Sequence, residues 1–191
     1  WLAEPRYSAN FDADEKIVIR QTGDSLVATI DREQFICMNN LHVIQLKKKI
    51  NAKYILALIN SSLLNFYFQY LNPETGEALA EVKKETVEKL LIKNAKYQKP
   101  YITLVEYILL NNSHGHDSSF FERLIDAMVY ELYLPEEIKA GGAEVLKHLG
   151  NLPELKEGQD EKNLKIIEKV YKELSDPKHP ISAALLKLLT I

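Results

Sequence analysis

The sequence has 191 residues, 46% hydrophobic and 27% charged, with 7 Gly, 7 Pro and 1 Cys, which excludes a disordered chain, a collagen-like repeat and a disulfide scaffold. The length suits one medium domain or two small ones. The net charge of −3 is the wrong sign for coating nucleic acid by charge alone, but residues 1–100 carry 14 Lys+Arg against 12 Asp+Glu while residues 101–191 carry 10 against 15.

The chain begins at Trp1 with neither Met nor a signal peptide, which suggests a piece cut from a longer protein. A cytoplasmic location is expected, with no membrane partner. The longest apolar stretch, Tyr54–Tyr70, is broken by Asn60, Ser61, Ser62 and Asn65 before it reaches the roughly 18–20 residues of a span.

The first third reads as strands. Lys16–Arg20 is a β-branched run closed by the turn Thr22-Gly23-Asp24, and Ser25–Asp31 follows as its hairpin partner. Phe35–Met38 and Leu41–Leu46 supply two further extended segments, separated by a turn at Asn39-Asn40. Cys37, in the apolar run Phe35–Met38, reads as a small core residue.

Helices come next. Asn51 is placed to cap Ala52–Ile59. Ile55, Leu58, Ile59, Leu63, Phe66 and Tyr70 recur at three- and four-residue steps, predicting one helical apolar face with a break and a new cap at Asn60-Ser61-Ser62. Pro73–Gly76 is a turn, Ala78–Lys83 a strand, and Thr86–Leu90 a short helix. From Pro100 onward the pattern is helical. Pro100 opens one helix, and a loop from Asn111 to Asp117 leads to a second, capped by Ser118-Ser119. Pro135 opens a third, which Gly141-Gly142 separates from a further segment, Ala143–Leu149; Asn163–Leu174 and Ile181–Leu189 are the last two, after a polar linker at Pro153–Asp160. The expected fold class is α+β: a small, mostly antiparallel sheet packed with helices over residues 1–100. An α-helical region follows over 101–191, packing on it or acting as a spacer.

Four constellations bear on chemistry. His114-Gly115-His116-Asp117 offers metal-ligand types in one loop, but His42, His148 and His179 are scattered and no Cys is near, so the loop reads as solvated and no metal is expected. Glu74, Glu81 and Lys83 loosely follow the acid…acid-x-Lys pattern of metal-dependent nucleases, in which carboxylates hold magnesium and Lys polarises phosphate. Gly-rich phosphate loops and the G-x-S-x-G elbow are missing, so no catalytic centre is expected in this stretch. Lastly, Arg20-Gln21-Thr22 at one strand end, and Arg32 at the next, are side chains able to read base edges; polar turns are the plain alternative.

The order of segments resembles a known family. Ile17–Gly23, Ala28–Asp31 and Asn39–Ile44 fit its strand region; Tyr54–Tyr67, Ala80–Ile92 and Ile125–Glu137 fit its later signatures. It departs at Leu91-Ile92-Lys93, where the family often carries Pro. The likeness is to the TaqI-like C-terminal specificity domain, the target-recognition part of adenine-specific DNA methyltransferases and type II restriction–modification enzymes. It implies a DNA sequence-recognition domain that positions duplex DNA for methylation, and for cleavage where the parent is also an endonuclease. Double-stranded DNA and a preceding methyltransferase domain are the implied partners. The implied cofactors, S-adenosylmethionine and, for cleavage, magnesium, belong to the parent, with none held here. The candidate DNA-facing residues are then Arg20, Gln21, Thr22, Arg32, Asn39 and Asn40, with Lys47, Lys48, Lys49, Lys83 and Lys84 as candidate phosphate contacts. The alternatives are a protein-interaction or assembly module, in which the lysines are solvated surface, and the nuclease just described.

Overall fold

The computed structural model describes residues 12–37, 40–47, 49–74, 76–77 and 80–190. The expected segments containing Met38, Asn39, Lys48, Ala78 and Leu79 therefore lie partly outside the described residues. The chain divides into two units, Trp1–Ile92 and Lys93–Ile191.

In the first unit, strands β1 (Lys16–Arg20), β2 (Ala28–Asp31) and β3 (Leu41–Ile44) form a three-stranded antiparallel sheet of order β2-β1-β3 among the described residues. The fold is α+β, as the patterning predicts. The central strand is buried from Lys16 to Ile19, which accounts for its near-continuous β-branched run. Ile17 stands opposite Ile30 and Ile44, and Ile19 opposite Ala28 and His42. Val18 points to the other face, where it packs with Cys37, Leu41 and Val43; Cys37 is thus the small core residue expected.

Lys16 is 0% exposed and ion-paired to Asp31, directly opposite it in the register. Burial by itself would raise the Asp31 pKa, but the Lys16 ammonium and the Glu33 and Phe35 N–H groups outweigh it and hold the carboxyl below its ordinary value. Residues 33–37 therefore form a loop pinned to Asp31, not the strand expected over Phe35–Met38. The backbone N–H groups that a strand would give to a neighbour are given to a carboxylate.

Helix α1 (Ala52–Ile59) starts on an Asn51 cap whose Oδ1 accepts from the Lys53 and Tyr54 N–H groups at 3.0 and 3.3 Å. It packs on β1 and β2. Asn60 ends it, and Ser61 caps α2 (Ser62–Leu71). The break and new cap fall where expected, but they shift the helical phase. Leu64 and Phe68 enter the core, whereas Phe66 and Tyr70, expected on the buried face, are 67% and 79% exposed. Two non-helical residues restart the 3.6-residue period, so an apolar face read across them slips.

The break has a second role. The Asn60 amide donates to Ala28 O and accepts from Ala28 N–H, both at 2.9 Å. Asn65 accepts from Leu26 N–H at 2.7 Å and donates back to Leu26 O at 3.4 Å. Side-chain amides thus take the place of a fourth strand along the outer edge of β2. Beyond α2, Glu81 makes an isolated bridge with Thr22 in place of the strand expected over Ala78–Lys83, and α3 (Lys84–Val87) starts earlier than the helix expected at Thr86.

In the second unit, α4 (Lys99–Ser113) packs on α5 (Ser119–Tyr133) and α7 (Asp160–Leu174), and α5 also packs on α6 (Pro135–Ala140) and α8 (Pro180–Leu188). Residues 93–98 belong with these helices: the Lys93 N–H donates to the Tyr133 hydroxyl at 2.9 Å. Phe121 meets Tyr107 and Phe120 edge-to-face at 5.6 Å each. The Tyr101 hydroxyl donates to Met128 O at 2.9 Å, and that of Tyr107 to Pro153 O at 2.5 Å; burial pushes the Tyr107 pKa up. The cap on α5 comes from Asp117, which accepts the Ser119 N–H at 3.0 Å, and not from the expected Ser118, whose hydroxyl bonds Asn112 Oδ1 at 2.7 Å. Among the described residues no helix is long and apolar enough to cross a membrane.

Candidate nucleic-acid interface

The end of the sheet where β1 finishes gathers several predicted residues. Gln21 N–H donates to Asn40 O at 2.9 Å, and Gln21 O accepts from Val82 N–H at 2.7 Å. Gly23 N–H donates to Ala80 O at 2.8 Å, and Arg20 N–H to Val27 O at 3.0 Å. The backbone of Arg20–Gly23 is therefore tied to β3's start, β2's approach and segment 80–82. The side chains behave in the opposite way. Those of Arg20, Gln21, Thr22 and Asn40 make no hydrogen bond or ion pair within the described residues, and Arg20, Thr22 and Asn40 are exposed. Fixed backbone with uncommitted polar side chains is what a recognition loop requires: the loop's shape is set in advance, while its donors and acceptors remain available.

Segment 80–83 is clasped beneath them. Glu74 pairs with Lys83 through one oxygen and accepts the Glu81 N–H at 3.1 Å through the other. The Lys83 ammonium and the Glu81 N–H hold the Glu74 pKa below its ordinary value, and the Glu74 carboxylate raises that of Lys83. Glu74 and Lys83 thus come together, as a nuclease pattern would require, but both oxygens of Glu74 are spent on closing the loop. Lys84 lies 3.6 Å from Glu88 on α3. Two residues that sequence reasoning passed over help to fix this end: His42, whose Nε2 meets Val82 O at 2.5 Å, and Asn72, which donates to Glu81 O at 3.3 Å. A histidine at an intermediate-burial strand position and an asparagine after a helix carry no pattern that would reveal such partners.

Arg32, Lys47 and Lys49 are elsewhere. β2 and β3 both run antiparallel to β1, so Asp31-Arg32 and the residues after Ile44 lie at the Lys16 end. At about 3.3 Å per residue, the length of β1 puts roughly 13 Å between the two ends. Arg32 is held by Glu15 through Nε and Nη2 at 2.9 and 2.8 Å. Lys47 and Lys49 are exposed and make no ion pair within the described residues; Ile50 N–H donates to Lys47 O at 3.1 Å, closing a turn in which Lys49 has φ 90°. Asn39 and Lys48 lie outside the described residues.

The matching family model is the TaqI-like C-terminal specificity domain, over residues 3–92. The match spans a little under half of the chain. The specificity domain thus coincides with the sheet-bearing unit, and all eleven predicted DNA-contact residues fall within its span. It is a DNA-recognition module of the restriction–modification methyltransferases. Its amide clamps, Asn60 and Asn65, stand in the Tyr54–Tyr67 signature, so these polar letters of that signature hold the sheet edge. No curated protein matches the chain.

Outside the specificity domain, a cleft of about 610 Å³ in the helical unit is lined by His116, Asp117, Phe121, Glu161, Lys165 and Tyr171, among others. Asp117 is occupied as the cap of α5, and His114 Nδ1 lies 3.1 Å from Leu110 O. Among the described residues no three His, Cys, Asp or Glu side chains are grouped to hold a metal ion.

Proposed function

We propose that the specificity domain reads duplex DNA with the Arg20 end of its sheet. In the parent enzyme, an adenine-specific methyltransferase, it would hold the duplex so that an adenine can be flipped into the methyl-transfer pocket of a preceding domain. That domain would bind S-adenosylmethionine; magnesium would enter only if the parent also cleaves DNA. The parent would work in the cytoplasm, where its substrate lies. The observation that carries this reading is the contrast at Arg20–Thr22 and Asn40 between a backbone tied at several points and side chains unpaired among the described residues.

A major groove about 12 Å wide admits one end of a sheet of this size, not both. The base-reading set is therefore Arg20, Gln21, Thr22 and Asn40. Lys83 and Lys84 flank it and reach phosphates by exchanging Glu74 and Glu88 for a phosphate oxygen. Arg32, Lys47 and Lys49 make a separate cationic group at the far end. A second role, contact with the preceding domain, is supported by Phe66 and Tyr70, one turn apart on α2 and both exposed.

The test is duplex binding by the full chain, followed by fluorescence anisotropy between 50 and 200 mM salt. Affinity is expected to fall steeply as salt rises, and a combined Arg20→Ala, Gln21→Ala substitution is expected to weaken it. A Lys47→Ala, Lys49→Ala pair is expected to weaken it less. Binding that ignores salt, or that fails only in the far-end variant, overturns this assignment.

A further inference from the structure

Arg20 is a cation that the described residues leave entirely unpaired at its guanidinium. It is also confined. Gly23 has φ +128°, in the region that favours glycine, and the Arg20 head lies over its Cα. A Cβ placed at Gly23 would fall 2.6 Å from Arg20 Nη2, 3.2 Å from Cζ and 3.5 Å from Nε. The absent side chain of Gly23 is thus the seat of the guanidinium. The Nη2 side of the guanidinium is backed by the turn, the residue is exposed, and no described residue accepts a hydrogen bond from it.

Two ligand groups match such a fork bidentately, a phosphate and the O6/N7 edge of guanine. The surroundings decide between them. Glu81 is bridged to the neighbouring Thr22, and Glu74 lies just behind it. The nearby lysines are already matched, Lys83 with Glu74 and Lys84 with Glu88. The adjacent uncommitted side chains, Gln21, Thr22 and Asn40, are hydrogen-bonding groups without charge, suited to base edges.

We propose that Arg20 reads a guanine in the major groove, and that Gly23 is the positioning residue that holds its guanidinium for this contact. The proposal rests on the DNA-reading function above and assigns one base of the target to one side chain.

Selection of the full chain against a random-sequence duplex library tests it, with folding of each variant checked by circular dichroism. The wild-type chain is expected to select guanine at one position. Arg20→Ala should lower that preference about ten- to hundredfold, leaving the other positions unchanged. Arg20→Lys, which keeps the charge but loses the planar fork, should lose the same preference while binding random duplex as well as wild type. Gly23→Ala, with Arg20 intact, should do likewise, because its Cβ displaces the guanidinium and φ +128° strains the turn for any residue with a side chain. If Arg20→Ala weakens every duplex equally and keeps the guanine preference, Arg20 is a phosphate contact; this inference falls and the DNA-reading function stands. If Gly23→Ala keeps the preference, its positioning role falls. If the wild-type chain binds no duplex even at low salt, the functional reading fails and the inference with it.

Discussion

The two units of this chain share an apolar core but secure their backbones by different chemistry. The sheet unit adds polar connections: the buried Lys16–Asp31 pair inside the sheet, the more exposed Asn60 and Asn65 amides along its edge, and the Glu74 clasp at its Arg20 end. The helical unit depends on apolar and aromatic packing around Phe121, Leu124 and Met128, with tyrosine hydroxyls tying off carbonyls. A small sheet has too few strands to satisfy its own edges, so side chains must supply partners. Helices satisfy their backbones internally and need only apolar contact. The polar scheme brings a benefit to a recognition domain, since hydrogen bonds fix loop geometry in a way that apolar contact does not.

The largest expected effects come from the centre of each unit. Phe121→Ala should destabilise the helical unit by about 3–5 kcal/mol, leaving a cavity under Tyr107 and Phe120. Asp31→Ala should cost the sheet unit about 3–5 kcal/mol, because it leaves the Lys16 ammonium buried without its partner. Urea unfolding, followed by tryptic cleavage within each unit, would separate the two. Equal loss of both units in either variant would break the comparison.

The same pair gives the sheet unit an acid sensitivity. Asp31 has a lowered folded pKa, so its contribution is complete above the ordinary aspartate value of about 3.9 and disappears as pH falls through the lowered one. The sheet unit should lose this contribution below about pH 4, and an Asp31→Asn variant should show a flatter acid limb in hydrogen exchange over residues 16–31.

Smaller effects sharpen the contrast. Tyr101→Phe should cost about 1 kcal/mol by removing the buried hydroxyl's bond to Met128 O. Asn60→Ala should cost about 1 kcal/mol, with faster amide exchange at Ala28 as its mark. Lys172→Ala removes an exposed pair with Glu168 one turn away and should leave the melting temperature unchanged.

Much of the secondary structure is legible in the sequence alone. Lys16–Arg20 as a strand, Asn51 as a cap, the second start at Ser61 and Pro100 near a helix start all follow from local chemistry. The misses have a shared cause. Phe35–Met38 reads as a strand until Asp31 captures its N–H groups. Phe66 and Tyr70 read as core until the cap at Ser61 shifts the phase. Ser118 reads as a cap until Asp117 takes the Ser119 N–H. Each was decided by a partner to which the local pattern is blind.

The candidate site shows the same division. From the sequence alone come the α+β class, the residue types able to meet DNA, and a resemblance running from about residue 15 to about residue 140, of which the family model matches only the part up to residue 92 and not the Ile125–Glu137 helix. The chain's charge division, a positive excess over the first hundred residues and a negative one after them, was visible from counting alone. Only the tertiary structure decided which of those residues share an end of the sheet. It brought Arg20, Gln21, Thr22 and Asn40 beside segment 80–83 and left Arg32, Lys47 and Lys49 roughly 13 Å away. The physical reason is antiparallel pairing. Reversing the direction of each successive strand sends residues that look equivalent in sequence, each just past the end of a strand, to opposite ends of the sheet.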